Sequence, residues 1–102
     1  MKYQFVIQWS ANSIKDFDAM TVAEDALIAQ LTDEHEVDGH DAGSGETNIF
    51  VLTNDFGAAF IETKAILDAE GLWEGVRIAY RDVAKSEYTV LWPNDLKEFS
   101  VA

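Results

Sequence analysis

The sequence contains no cysteine and only one proline among its 102 residues. The lack of cysteine excludes a disulfide framework, a thiolate zinc site and a cysteine nucleophile. No apolar run approaches the roughly 20 residues that a membrane-spanning helix needs. Residues 1–9 alternate between apolar and polar types too regularly for the apolar core of a signal peptide. We therefore expect a cytoplasmic protein with no membrane partner.

Positive charge is scarce and unevenly distributed. The chain has 7 Lys and Arg against 19 Asp and Glu, which gives a net charge of −12. Residues 16–63 hold twelve of the acids and no Lys or Arg, while the remaining residues carry seven charges of each sign. Such a negative field repels phosphate backbones, so we expect no direct nucleic-acid binding. It favours a basic protein or a metal ion, although an acidic surface can also serve only to keep a small domain soluble.

Length and hydrophobic content predict a single packed domain over residues 1–102. The chain is 48% hydrophobic, and we find no internal repeat, linker or low-complexity tract. Hydrophobic periodicity predicts strands at residues 3–9, 76–81 and 88–92 and helices at residues 13–32 and 55–70. Ser13 with Asp16 is the predicted start of the first helix, and Asn54-Asp55 and Gly71 mark the ends of the second.

Two further strands are predicted between the helices. Residues 35–41 form a weak candidate, because Gly39 and the charged residues there are poor strand formers. Residues 47–53 are apolar on both faces, which is typical of a central strand covered on two sides. The segment between them, residues 42–45, is a hairpin connection whose glycines can take positive φ.

The predicted fold is therefore α+β, with the element order βαββαβ and an additional C-terminal strand. This order resembles the ferredoxin-like, or split βαβ, sandwich over nearly the whole chain. Right-handed crossovers would place the first and third strands at the centre and both helices on one face. We expect the other face to be closed by the C-terminal residues or by a second copy of the chain, which makes a homodimer one possibility.

Two short segments resemble a signature of small bacterial proteins. They are Asp38-Gly-His-Asp41 and the run Gly43-Ser-Gly-Glu-Thr-Asn-Ile-Phe50. The resemblance implies no particular activity. The ferredoxin-like architecture supplies none either, because it hosts many unrelated functions.

The candidate functional cluster lies on either side of the predicted hairpin. It consists of Glu36, Asp38, His40, Asp41 and Glu46. If Glu36, Asp38 and His40 share one strand face by the period-two rule, they offer an imidazole and two carboxylates, a ligand mix suited to a divalent metal. The possible metal ligands are Asp38, His40 and Glu46, and a His-Asp pair could also serve in acid-base catalysis. The competing interpretation is a solvated loop, because hairpins favour Asp, Gly and Ser for their turn geometry.

Other residues point more weakly to a site. Residues 39–45 precede a strand and are flanked by acids, which disfavours a phosphate-binding loop. Arg77 and Arg81 share one strand face and could bind a carboxylate, although pairing with the surplus acids is the stronger expectation. The tryptophans fit a core better than a ligand pocket.

These observations favour a non-catalytic protein-interaction domain that uses an anionic face to bind a basic partner. An immunity-type inhibitor of a basic toxin resembles this profile in size and charge. The alternatives are a regulatory domain that binds a small ligand and a metal-dependent or His/Asp acid-base enzyme. No resident cofactor is expected beyond a possible divalent metal.

Overall fold

The computed structural model describes residues 1–10, 17–43 and 45–101. The order of elements agrees with the order predicted from the sequence. They are β1 (Tyr3–Ser10), α1 (Phe17–Gln30), β2 (His35–Gly43), β3 (Glu46–Thr53), α2 (Phe56–Ala69), β4 (Val76–Asp82) and β5 (Thr89–Trp92). The predicted helix start at Ser13 and Asp16 lies outside the described residues, as does Ser44 of the hairpin.

The strands form one five-stranded sheet in the order β2-β3-β1-β4-β5. Every neighbouring pair is antiparallel. Across the described residues the protein is therefore α+β, with two helices and an antiparallel sheet, and it is compatible with a ferredoxin-like α+β class. In this order β2 and β5 are the edge strands.

β1 occupies the centre of the sheet and is buried on both faces. Residues 5–9 are all buried, whereas Phe50 and Leu52 of β3 stay partly exposed between buried neighbours. The sequence pattern predicted that β3 would be buried on both faces. In the structure β1 is the strand buried on both faces. The physical reason is position, because β3 lies next to the edge strand while β1 has two strands on one side and two on the other.

One sheet face carries the core and the two helices. α1 and α2 contribute apolar side chains at helical spacing, and the strands contribute every second residue. The buried members of this core include Met20, Ala23 and Leu27 of α1, Ala59, Ile66 and Leu67 of α2, and Phe5, Ile7, Trp9, Ile49, Val51 and Ile78 of the sheet. This confirms that both helices cover one face.

The ends of α2 confirm the predicted caps. The Asp55 carboxylate accepts a hydrogen bond from the Ala58 N–H at 3.0 Å. Gly71 has a φ of 71°, and the Leu72 N–H closes the helix on the Leu67 carbonyl oxygen at 2.9 Å. Glycine is favoured at this position because side chains are strained in the left-handed region.

The opposite face, here called the second face, carries Gln4, Val6 and Gln8 of β1. The Gln8 amide is buried and donates to Asn48 Oδ1 at 2.9 Å and to the Ser100 carbonyl oxygen at 3.0 Å. The C-terminal segment, residues 93–101, therefore contacts the second face, and this is one of the two coverings that we expected.

Within the described ranges, neither helix is long and apolar enough to cross a bilayer.

A buried hydroxyl in α2 gives a first prediction. Thr63 Oγ1 is buried and has no hydrogen-bond partner among the described residues. Replacing Thr63 by valine should raise the free energy of unfolding by about 1 kcal/mol, because valine removes a desolvated donor at nearly the same volume. Urea unfolding measures the change, with Thr63→Ala as the control that loses stability through a cavity. A Thr63→Val variant less stable than the native protein would contradict the prediction.

Candidate functional site

Many of the acids that follow β1 lie on elements that are joined or in contact with one another. They lie on α1, on the connection after it and on β2, and α1 packs against β2. We call this set the acidic surface: Asp18, Glu24, Asp25, Asp33, Glu34, Glu36, Asp38 and Asp41. All are exposed except Glu24, which is half-buried. The acidic stretch of the chain thus corresponds to α1, its following connection and the edge strand β2.

The acidic surface has almost no internal compensation. Among the described residues, its only ion-pair contact joins Glu24 to His40, with Nδ1 3.0 Å from the carboxylate oxygens. No Lys or Arg pairs with any of the eight acids in the part of the chain that the structure describes. The exposed carboxylates therefore repel one another and remain available to an external cation.

A β-bulge divides the predicted cluster between the two sheet faces. The register of β2 on β3 shifts between Val37 and Gly39, and Gly39 takes a φ of 120°. Before the shift Glu36 lies opposite Leu52, and after it His40 lies opposite Ile49, a core residue. Residues directly opposite each other share a face, so Glu36 lies on the second face and His40 on the helix face. The simple period-two rule, which put them on one face, does not hold across the bulge.

Asp41 and Glu46 belong to the second face. Asp41 lies opposite Asn48, and Asn48 Nδ2 donates to Glu46 Oε1 at 3.3 Å. His40 and Glu46, two of the three possible metal ligands, therefore lie on opposite faces of the sheet. In residues 1–10, 17–43 and 45–101, no group of three or more His, Asp or Glu side chains is arranged to hold a metal ion.

A polar network centred on the buried His35 lies outside the cluster predicted from the sequence. His35 has a fully buried side chain, with Nδ1 2.7 Å from Thr53 Oγ and Nε2 3.0 Å from Glu62 Oε2. Glu62 also accepts from the Thr32 N–H and hydroxyl at 3.0 and 3.2 Å. The network joins β2, β3, α2 and the end of α1. Its members are far apart in the chain, and no local pattern marks them as partners.

The hydrogen bonds of Glu62 outweigh its desolvation. Burial by itself raises the pKa of this carboxyl, but the bonds from the Thr32 N–H, from His35 and from the Thr32 hydroxyl hold the pKa below its usual value. The carboxylate form is thus favoured in the folded protein.

Thr53, His35 and Glu62 are linked in the same order as the hydroxyl, imidazole and carboxylate of a catalytic triad. The hydroxyl, however, is not accessible to a substrate. Thr53 is fully buried, and its Oγ also contacts the Asp55 carbonyl oxygen at 3.1 Å and the Asp55 N–H at 2.9 Å. A nucleophile must reach a substrate, and this hydroxyl is enclosed. We therefore infer that the network stabilises the fold and takes no part in catalysis.

The two arginines of β4 were expected to pair with the surplus acids, and the structure shows other contacts. Neither Arg77 nor Arg81 forms an ion pair with an acid among the described residues, so the expected pairing with the surplus acids is wrong. Arg81 instead donates Nε to Gln4 Oε1 at 2.9 Å, and its terminal nitrogen contacts the Lys85 carbonyl oxygen at 2.9 Å. The reason is sheet order, because β1 and β3 separate β4 from the acidic edge strand β2.

The tryptophans serve the core, as predicted. Trp9 is buried and donates Nε1–H to the Leu72 carbonyl oxygen at 3.1 Å. Trp73 and Trp92 pack against the core with ring centroids 5.6 Å apart, and Phe60 lies edge-on to Trp73. These aromatic contacts lie on the helix face.

Comparison of the chain with protein-family models, with curated proteins and with solved structures finds no match.

Proposed function

We propose that this protein is a non-catalytic interaction domain that binds a basic protein through the acidic surface. The supporting observation is the set of exposed carboxylates on α1, on the following connection and on β2, which have no Lys or Arg partner among the described residues. Unpaired like charges destabilise a folded chain through mutual repulsion. Binding of a basic partner reduces that repulsion. The opposite charges of the two proteins also raise the rate at which they associate.

The place of the acids in the fold also supports a protein partner. β2 is an edge strand, and charged side chains on an edge discourage pairing with a second copy of the same strand. An acidic edge therefore opposes self-association through β2 and favours a partner of opposite charge.

We further infer that the fold is a ferredoxin-like βαββαβ sandwich with an additional C-terminal strand, because the strand order β2-β3-β1-β4 is the order that this fold requires.

A matched pair of charge-reversal variants tests the proposal. Asp25→Lys with Glu36→Lys changes two carboxylates of the acidic surface, and Glu74→Lys with Asp95→Lys makes the same change elsewhere. Each pair alters the net charge by +4, from −12 to −8. All four residues are exposed. Any difference in binding between the two variants therefore comes from position and not from total charge.

The immobilised native protein is used to capture partners from a cell extract at low salt, and the Kd of each purified captured protein is then measured. We expect a basic protein whose affinity falls as salt rises from about 0.05 M to about 0.3 M. The acidic-surface variant should bind it about tenfold more weakly or worse, and the control variant within about twofold of the native protein. Recovery of no basic protein, or equal losses in both variants, would overturn the proposal.

A further inference from the structure

An apolar cleft opens between α1 and the edge strand β2. Its described lining residues are two from α1, one from the connection after it and three from β2: Leu27, Ile28, Leu31, His35, Glu36 and Val37. The cleft has a volume of about 290 Å³. A water molecule occupies about 30 Å³ in the liquid, so the cleft has room for a side chain of the size of leucine.

The walls of the cleft present apolar side chains to solvent. Ile28 is 61% exposed, although it is an isoleucine on a helix that packs on the core. Leu31 and Val37 are half-buried and pack against the core, and Val37 lies opposite the core residue Val51 on the helix face. Because Ile28, Leu31 and Val37 line the same cleft, they form one continuous apolar spot and not scattered surface residues.

The two polar lining residues do not oppose a basic partner. The His35 side chain is fully buried, and both of its ring nitrogens already contact Thr53 and Glu62. Glu36 is exposed and belongs to the acidic surface. Asp25, another exposed member of that surface, precedes Ile28 by three residues and is therefore its neighbour on α1. None of the described lining residues is Lys or Arg, so the apolar spot lies beside negative charge only.

We propose that this cleft receives a leucine-sized apolar side chain of the basic partner, with Lys or Arg on either side of it in the partner's sequence. The inference rests on the proposed function and adds the contact that supplies affinity. Opposite charges speed association, but most binding energy comes from a few large side chains seated in pockets within a polar rim. Here Ile28, Leu31 and Val37 form the pocket, and Asp25 and Glu36 belong to the rim.

Charge also selects the kind of protein that occupies the cleft. A second copy of this chain would bring its own net charge of −12 to the acidic surface, and like charges oppose association. A segment with Lys or Arg around its apolar side chain matches both the spot and the acids next to it. The occupant is therefore a different protein, and a basic one.

Two capped pentapeptides test the pocket, KKLKK and KKSKK, which carry the same charge and differ only in the central side chain. Binding to the native protein is followed by ¹H–¹⁵N NMR at about 0.05 M salt, where surface charges are weakly screened. We expect KKLKK to give saturable shifts of the amides of Ile28, Leu31 and Val37. It should bind about five- to tenfold more tightly than KKSKK, because the leucine is partly removed from water.

Two isoleucine variants provide the matched comparison. Ile28→Gln keeps the net charge and removes an apolar wall of the cleft, and it should weaken KKLKK about three- to tenfold, close to the affinity of KKSKK. Ile61→Gln makes the same change at a 71% exposed isoleucine of α2 that does not line the cleft. This control should bind KKLKK within about twofold of the native protein. Both positions are exposed, so both variants should keep the native spectrum.

The outcomes separate the pocket from the charge. Equal binding of KKLKK and KKSKK by the native protein, equal effects of Ile28→Gln and Ile61→Gln, or the lack of saturable shifts would overturn the pocket. The variant Asp25→Lys with Glu36→Lys should weaken both peptides, because it reverses two neighbouring charges. If it does so while the leucine brings no advantage, the pocket is wrong and the proposed function stands. If it weakens neither peptide, the result counts against the proposed function as well.

Discussion

Replacement of His35 by alanine is expected to lower the free energy of unfolding by about 2–4 kcal/mol. The imidazole is fully buried between Thr53 Oγ at 2.7 Å and Glu62 Oε2 at 3.0 Å. Its removal leaves a cavity and deprives the partly buried carboxylate of Glu62, whose side chain is 26% exposed, of one of its donors. Urea unfolding of the native protein and of the variant at neutral pH measures this decrease in the free energy of unfolding.

His40→Ala is the matched control, because His40 is also on β2 and also lies 3.0 Å from a glutamate. Its side chain is 36% exposed, so the contact with Glu24 is largely screened by water. We expect a loss below about 1 kcal/mol. Equal losses in the two variants would show that burial of His35 does not determine its contribution.

The pH dependence of the His35 network follows from Glu62. Its pKa in the folded protein lies below the usual value of 4.5, so its contribution to stability is fully present above about pH 4.5 and is lost as pH falls through the folded pKa. Glu62→Gln removes this contribution. The stability difference between the native protein and Glu62→Gln should therefore be largest at neutral pH and shrink on acidification. A difference independent of pH would contradict the assignment.

The fold could be predicted to the extent that it depends on local periodicity. Alternation identified β1 and β4, helical spacing identified the buried sides of α1 and α2, and Asp55 and Gly71 marked the ends of α2. These signals lie within a few residues of one another in the chain. They reflect burial of one face, which any sheet and helix packing must achieve.

The candidate site was less predictable because its geometry depends on distant residues. Gly39 was recognised as a poor strand former, but the register shift beside it depends on how β2 pairs with β3. That shift moves His40 to the face opposite Glu36. Arg77 fails to meet the acids of β2 because three strand spacings, about 14 Å, separate β4 from β2.

The second large effect is expected at Gln8, which holds the C-terminal segment on the second face. Its buried Nε2 donates to Asn48 Oδ1 at 2.9 Å and to the Ser100 carbonyl oxygen at 3.0 Å. Gln8→Leu leaves both acceptors without that donor and should lower the free energy of unfolding by about 2–4 kcal/mol. Amide hydrogen exchange of residues 99–101 should accelerate as well, because the segment loses its hydrogen bond to β1.

The double variant Gln8→Leu with Asn48→Leu distinguishes lost hydrogen bonds from altered packing. Removing both members of a buried polar pair costs less than removing one, because no unsatisfied amide remains between β1 and β3. The double variant should therefore be more stable than the sum of the two single changes implies, while exchange at residues 99–101 stays fast, because the Ser100 carbonyl still lacks its donor. Additive losses would mean that the amides do not act as a pair. Slow exchange in both variants would show that the apolar contacts of Phe99 and its neighbours hold the segment without Gln8.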